Sequence, residues 1–317
     1  MRVTTNTFPN TLIDQLQLLT TRQNKLQTQA ATGQKVKYLE DDPGAVRRIK
    51  DMQDESRSIS QYQKNISALK ELATVSYDSI KALKKISDRA NEIATAADST
   101  KSKDELRAYA IEISQLIQQA VQIGNSKHNG NYIFSGTQSN TAPFVINGTD
   151  SNGLVTSITT QVSYNPPTST IPEFDIADGF SITAHVIAVN QTGSGPQGLF
   201  TNAANGADFL NHLLDLQNHL WNGDTTAIAN NDRQNLLKDE DNIIFHVSAN
   251  GALQARLEAA YSSASAKISS LEKLISNEAD ADLAQTLVKL SETQTAYQAA
   301  LQSGALILNT SLLDYIR

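Results

Sequence analysis

The chain has 317 residues, a formal net charge of −7, 39% hydrophobic and 19% charged residues, and no cysteine. The missing cysteine excludes a disulfide scaffold, a thiol nucleophile, an iron–sulfur cluster and a Cys-type zinc site. Lys+Arg 26 against Asp+Glu 33 argues against a protein held to nucleic acid by phosphate contacts. No apolar run approaches the ~20 residues of a membrane span, and Met1-Arg2-Val3-Thr4-Thr5 lacks the apolar core of a signal peptide, so a soluble chain without a cleaved leader is expected.

The first predicted helix carries Leu12, Leu16, Leu19 and Leu26 on one stripe and ends at Gly33. Asp42-Pro43 opens the second, as an acidic N-cap followed by proline at the first helical position. Met52, Ile59, Ile66, Ala73 and Ile80 then recur every seven residues, and Tyr62, Leu69, Ser76, Leu83 and Ala90 form a second seven-residue row whose first four members stand three after Ile59, Ile66, Ala73 and Ile80. This is an a/d seam of about five heptads. Ser102-Lys103-Asp104-Glu105 reads as the capping box of a third helix, with Leu106, Ala110, Ile113, Ile117, Ala120 and Gly124 on one face.

The middle of the chain differs. Residues 137–205 contain no Lys or Arg but five of the seven prolines. Thr and β-branched apolar residues dominate 155–164 and 180–189, the second run with period-two patterning, and with a shorter run at 144–146 they predict strands of a small β-rich domain. Proline also interrupts the helices on either side. Helices are predicted again over 207–221 and 253–275, and from about Asp282 to the C-terminus. The last carries Leu283, Leu290, Tyr297 and Gly304 in one row, with Leu287, Gln294, Leu301, Leu308 and Tyr315 in the next.

The two terminal helices have apolar stripes without a local partner, and an isolated helix of this kind is marginal in water. They are expected to pack on each other. Residues 1–38 carry five cations and one anion, and 278–317 two cations and five anions, so charge favours the pairing. Such a two-helix coil still leaves Ile13, Leu306 and Leu313 outside. Other copies or a partner are expected to cover them.

No chemistry stands out. Gly193–Gly198 spells GxGxxG, but Pro196 and the run to Gly206 separate it from the next helix, so a flexible connector is expected instead of a dinucleotide turn. Asp208, His212, Asp215 and His219 share a helix face, read as the solvated side of an amphipathic helix and not a metal site. Asp239-Glu240-Asp241 is likewise read as solvated charge. No catalytic, cofactor-binding or metal-binding residues are assigned, and no enzyme is expected.

Four stretches resemble the flagellin superfamily and, within it, its hook–filament junction members. They are Met1–Thr5; the break at Gly33-Gln34-Lys35 with Asp41-Asp42-Pro43; Gly130-Asn131-Tyr132-Ile133-Phe134-Ser135-Gly136 with Pro143-Phe144; and the C-terminal Gln298–Gln302 with Ser311–Ile316. The resemblance covers about residues 1–144 and 245–317. It implies a mainly α fold with a smaller β-rich insert, as a long antiparallel helical bundle or coiled coil built from both termini plus an outer β domain. The expected division is 1–42 with 279–317 as the terminal coiled coil, 43–136 with 206–278 as a helical bundle, and 137–205 as the outer domain. Assembly contacts are expected at Leu12, Leu16, Leu19, Leu26, Leu290, Tyr297, Leu301, Leu308, Leu312 and Tyr315. Gly33, Asp42, Pro43, Tyr132, Phe134 and Gly136 would carry the family motif.

The resemblance further implies a structural subunit outside the cell. Its partners would be copies of itself in a ring or helical array, a neighbouring hook-associated protein, flagellin and an export chaperone, with no nucleic acid, membrane or cofactor. A filament flagellin is the nearest alternative, and a secreted adhesin-like protein a more distant one.

Overall fold

The computed structural model describes residues 7–164 and 171–316, with side chains for 10–164 and 171–306. Met1–Thr5 of the motif, and the side chains of Leu308, Leu312, Leu313 and Tyr315, lie outside the described residues. The chain divides into two compact units, Met1–Ile59 with Ala266–Arg317, and Ser60–Ser265.

The first unit joins the two ends of the chain. Helix α1 (Thr7–Thr32) stops at Gly33, whose φ of +70° lies in the left-handed region that glycine enters without a Cβ clash. The last helix, Leu283–Ile316, starts beside that stop. Between them the main chain is clasped twice: Ala281 N–H donates to Gly33 O at 2.8 Å, and Lys35 N–H to Ala279 O at 2.6 Å. From this clasp the two helices run antiparallel. At the other end a Cβ on Gly304 would stand 2.5 Å from Leu12 Cδ2, so glycine sets the close approach there.

Helix α2 (Pro43–Ala96) begins as the sequence predicts: the Asp42 carboxylate accepts the Ala45 N–H at 3.0 Å. A cap of this kind contributes about 1 kcal/mol. Asp41 organises the turn before it, accepting from Lys37 and Tyr38 N–H and pairing with Lys25 Nζ at 2.9 Å. The Lys25 bond, followed by these backbone bonds, lowers the Asp41 pKa to about 2. Lys25 therefore neutralises its own connecting turn and not the C-terminal helix. Among the described residues no ion pair joins the two terminal helices, contrary to what their opposite charges suggest. Within the same unit, Arg48–Glu278 at 2.9 Å and Glu55–Lys267 at 2.6 Å line α2 up antiparallel to the end of the long helix Arg233–Ala279.

The second unit holds a conventional core. Helix α3 (Lys103–Gly124) has the predicted capping box: Glu105 N–H donates to Ser102 Oγ at 3.3 Å, and Ser102 N–H to the Glu105 carboxylate at 2.9 Å. Its predicted face is buried throughout. It packs on α4 (Phe209–Asn222). Gly124 lets Phe144 come within 2.8 Å of where a Cβ would sit. Phe200 then contacts Phe144 and Phe134 edge to face, with ring centroids 4.8 and 6.4 Å apart.

The strands form small ribbons. β1 (Lys127–His128) and β2 (Asn131–Tyr132) pair around Asn129-Gly130, both at positive φ. β3 (Phe144–Thr149) and β4 (Val155–Thr160) form one hairpin, and β5 (Phe174–Ala177) and β6 (Phe180–Ile182) another. β7 (Ile187–Asn190) runs parallel to β8 (Gly198–Asn202), which pairs antiparallel with β9 (Ala207–Asp208).

Three expectations need correction here. The patterned run 180–189 is two strands, because Thr183–Val186 leaves the sheet. Gly193–Gly198 is not a flexible connector. Asn190 Nδ2 donates to Ser194 O and Pro196 O at 2.8 and 2.7 Å, holding the loop between two parallel strands. Gly198 is required there, since a Cβ would lie 2.1 Å from Thr201 O. The helix predicted over 253–275 is the second half of α5 (Arg233–Ala279), which follows a π-helical turn at Ile228–Asp232. Polar seam residues hid its first half.

Candidate assembly surface

The paired terminal helices are apolar on both sides, and the heptad explains why. On α1, Leu12, Leu16 and Leu19 are half-buried and Leu26 is buried. On α6 (Leu283–Ile316) the inward row is Thr286, Leu290, Thr293, Tyr297, Ala300 and Gly304, at alternating steps of four and three. The two buried threonines donate to Asp282 O and Lys289 O within their own helix, at 2.7 Å each, so no hydroxyl is stranded. Leu290 and Tyr297 thus meet the α1 stripe. Leu301 does not: it points outward with Leu287 and Val288. Leu18 is 70% exposed and Leu306 68%. Isolated exposed leucines are ordinary, but Leu287 and Val288 together with Leu301 and Leu306, all exposed on one helix, mark a candidate interaction surface.

The motif residues are spread over both units. Gly33, Asp42 and Pro43 shape the turn between α1 and α2. Tyr132 is half-buried, with Lys127 Nζ 4.4 Å from its ring centre. Phe134 is fully buried in the aromatic cluster. Gly136 has φ +59° and packs against Ile187.

A polar cluster in the second unit was misread from sequence as a solvated helix face. Asp239 is 1% exposed; its carboxylate bonds His212 Nδ1 at 2.7 Å and accepts Asp208 N–H at 2.8 Å. His219 Nδ1 lies 2.8 Å from buried Asp232 in the π-helical turn. Burial pushes both carboxyls above their usual range. Burial opposes a charge on His212 too, but the Asp239 bond and the Asp208 and Asp215 carboxylates outweigh it and raise its pKa. The cluster ties α4 to α5 and needs no ligand for that. Asn242 works beside it, donating to Gly198 O and Leu199 O at 2.8 and 2.9 Å. No sequence pattern announces these partners, which are 13 to 44 residues apart. Among the described residues no three His, Asp or Glu side chains are placed to hold a metal, and no helix is long and apolar enough to cross a membrane.

Residues 3–139 match the sequence profile of the bacterial flagellin N-terminal helical region. The matched region takes in α1, α2, α3 and the β1–β2 turn, including all six motif residues. No curated protein sequence matches the chain. Among solved structures it is similar to a protein of Vibrio parahaemolyticus assigned as a flagellar hook-associated protein, with 17% identity and a TM-score of 0.60 over 76% of this chain and all of that one. FlgL of Bacillus cereus is similar as well, with 21% identity and a TM-score of 0.53 over 70% of this chain and 96% of that one. At these identities the shared property is the fold.

Proposed function

We propose that this protein is a structural subunit of the bacterial flagellum at the junction between hook and filament, outside the cell. The observation that carries the reading is the flagellin domain joined to a C-terminal helix that leaves Leu287, Val288, Leu301 and Leu306 facing outward. Leu12, Leu16, Leu19, Leu26, Leu290 and Tyr297 form the pair's own seam. The outward side chains are the surface for neighbouring copies, and Leu308, Leu312 and Tyr315 are proposed as further assembly contacts. Assembly then couples to ordering: terminal helices that cannot cover their apolar faces alone gain that cover from neighbours. Head-to-tail contacts of this kind close into rings or continue as helical arrays. The three-part division proposed above, with 137–205 outermost, suits that arrangement. An adjoining hook-associated protein, flagellin and an export chaperone are the proposed partners.

A strain lacking the protein tests the reading. Complete hooks with filament protein released into the medium are expected, and normal filaments on the mutant hooks would refute it. Chains without residues 1–30 or 288–317 should remain folded but fail to join hooks. Leu301→Asp should block incorporation more than any substitution in 145–205. A filament flagellin shares the matched N-terminal region; purified protein growing long filaments from seeds would favour that reading instead.

A further inference from the structure

Helix α5 is interrupted in chemistry though not in backbone. Within the second unit two apolar cores lie along it. The main core includes Ile80 and Leu83 of α2 with Leu236 and Ile243 of α5. The smaller core joins Ile66, Leu69 and Ala73 of α2 to Leu257 of α5, with Ile176 and Ala184. Between Ile243 and Leu257 the buried positions of α5 are His246 and Asn250, and between Ala73 and Ile80 the α2 seam offers Ser76. Ser76 Oγ, His246 Nε2 and Asn250 Nδ2 are buried and have no hydrogen-bond partner in the protein. Burial lowers the His246 pKa to about 4, so the layer is neutral at physiological pH. Unpaired polar groups weaken packing where they sit.

Gly251 is in the same stretch. It is exposed in the interior of a 47-residue helix, and a Cβ there would meet nothing within 4 Å. No contact demands glycine, yet glycine is among the residues least favourable to a helix interior. Beside it lies a groove of about 510 Å³ lined by Ile182, Val186, Phe245, Ala249 and Leu253 among others, which leaves space on one side of the helix. Sharp helix bends occur where the ladder is weakest, glycine sites among them.

From the narrow joint between the cores, bridged by partly buried Leu72, the unpaired polar atoms, the unneeded glycine and the adjoining space, we propose that α5 bends at residues 246–254, with α2 yielding beside it at Ser76, moving the smaller core and its β5–β6 hairpin against the main core. The straight helix is one of two positions. Bending opens the polar layer and lets its three unpaired groups reach solvent, while both cores stay closed. Replacing Gly251 by Ala biases the equilibrium toward the straight form without touching either core.

The chain has no cysteine, so spin labels can be placed cleanly on Leu237→Cys and Tyr261→Cys, both exposed positions of α5. A straight helix separates these Cα atoms by about 36 Å, at ~1.5 Å per residue. The expected result is a second, shorter distance population in the otherwise unaltered chain, diminished about fivefold by Gly251→Ala, as the helix preference of alanine implies. Backbone amides of 247–254 should exchange at least about tenfold faster than those of 257–265, and Gly251→Ala should slow them alone. A single narrow distance in the unaltered chain, or a distribution that Gly251→Ala leaves unchanged, would overturn the proposal. His246→Leu provides a second route to the same test, by filling the layer instead of stiffening the backbone.

Discussion

The two units solve the burial problem in opposite ways. In Ser60–Ser265 every heptad face meets another layer, and Phe134, Phe144, Phe200 and Phe209 are almost wholly enclosed. In the unit built from the chain ends, α1 and α6 meet each other along one row and leave the next row in water. Both use the same seven-residue repeat. What differs is the number of faces supplied from within the chain. A helix pair has two, and its stability rests on a few half-buried leucines. The bundle adds α3, α4 and strands, so its core closes. A unit that stays open on one side is suited to completion by neighbours, whereas the second unit draws the cover for its cores from within the chain.

Substitutions can break this contrast. The single tryptophan, Trp221, lies on α4, so its fluorescence follows the second unit while far-ultraviolet circular dichroism follows both. The largest effect is expected from Phe200→Ala, which should cost the second unit about 3–5 kcal/mol in denaturant. Leu26→Ala in the open unit should cost about 2 kcal/mol and should leave the Trp221 transition in place. Equal shifts of both signals by either variant would show that the units unfold together.

His212→Ala comes next, at about 2–3 kcal/mol, because it leaves the Asp239 carboxyl buried with one backbone partner. The same pair sets a pH dependence. The His212 pKa is raised in the fold, so its contribution is complete below the ordinary ~6.5 and is lost as pH rises through the raised value. Asp232 and Asp239, raised by burial, act in the same direction: the folded chain holds their protons more tightly, so stability falls as pH climbs above the ordinary carboxylate value of 3.8. The Trp221 unfolding midpoint should therefore be higher at pH 6 than at pH 8.5. A midpoint that rises over this interval would count against the assignment.

Smaller effects sharpen the picture. Gly304→Leu forces a side chain into the 2.5 Å approach to Leu12, and should destabilise the terminal pair by about 1–3 kcal/mol with Trp221 unaffected. Ser102→Ala removes one half of the α3 capping box and should lower the Trp221 midpoint by about 1 kcal/mol.

Much of the fold is legible in sequence because its signals are local. The Gly33 stop, the Asp42-Pro43 start, the Ser102–Glu105 box and the α2 repeat each involve residues within one or two turns, and each is where it was expected. The failures were non-local. His212, Asp215 and His219 look like a wet helix face until Asp239 and Asp232 arrive from another element. Gly193–Gly198 looks like a linker until Asn190 folds back over it. The first half of α5 is hidden because His246, Asn250 and Gly251 interrupt its apolar period. The terminal pair was half visible: the periodicity identified two apolar rows on α6, but not which one faces α1.

By itself the sequence determined the stops and starts at Gly33, Asp42-Pro43 and Ser102–Glu105 and the α2 repeat, since caps, turns and heptads act through neighbours in the chain. Tertiary structure alone decided which rows are buried, which carboxylates are withdrawn from water and where α5 is weak. Those outcomes depend on what another segment brings within hydrogen-bonding or van der Waals distance. Periodicity assigns a residue to a face of its helix, and only packing determines what that face meets.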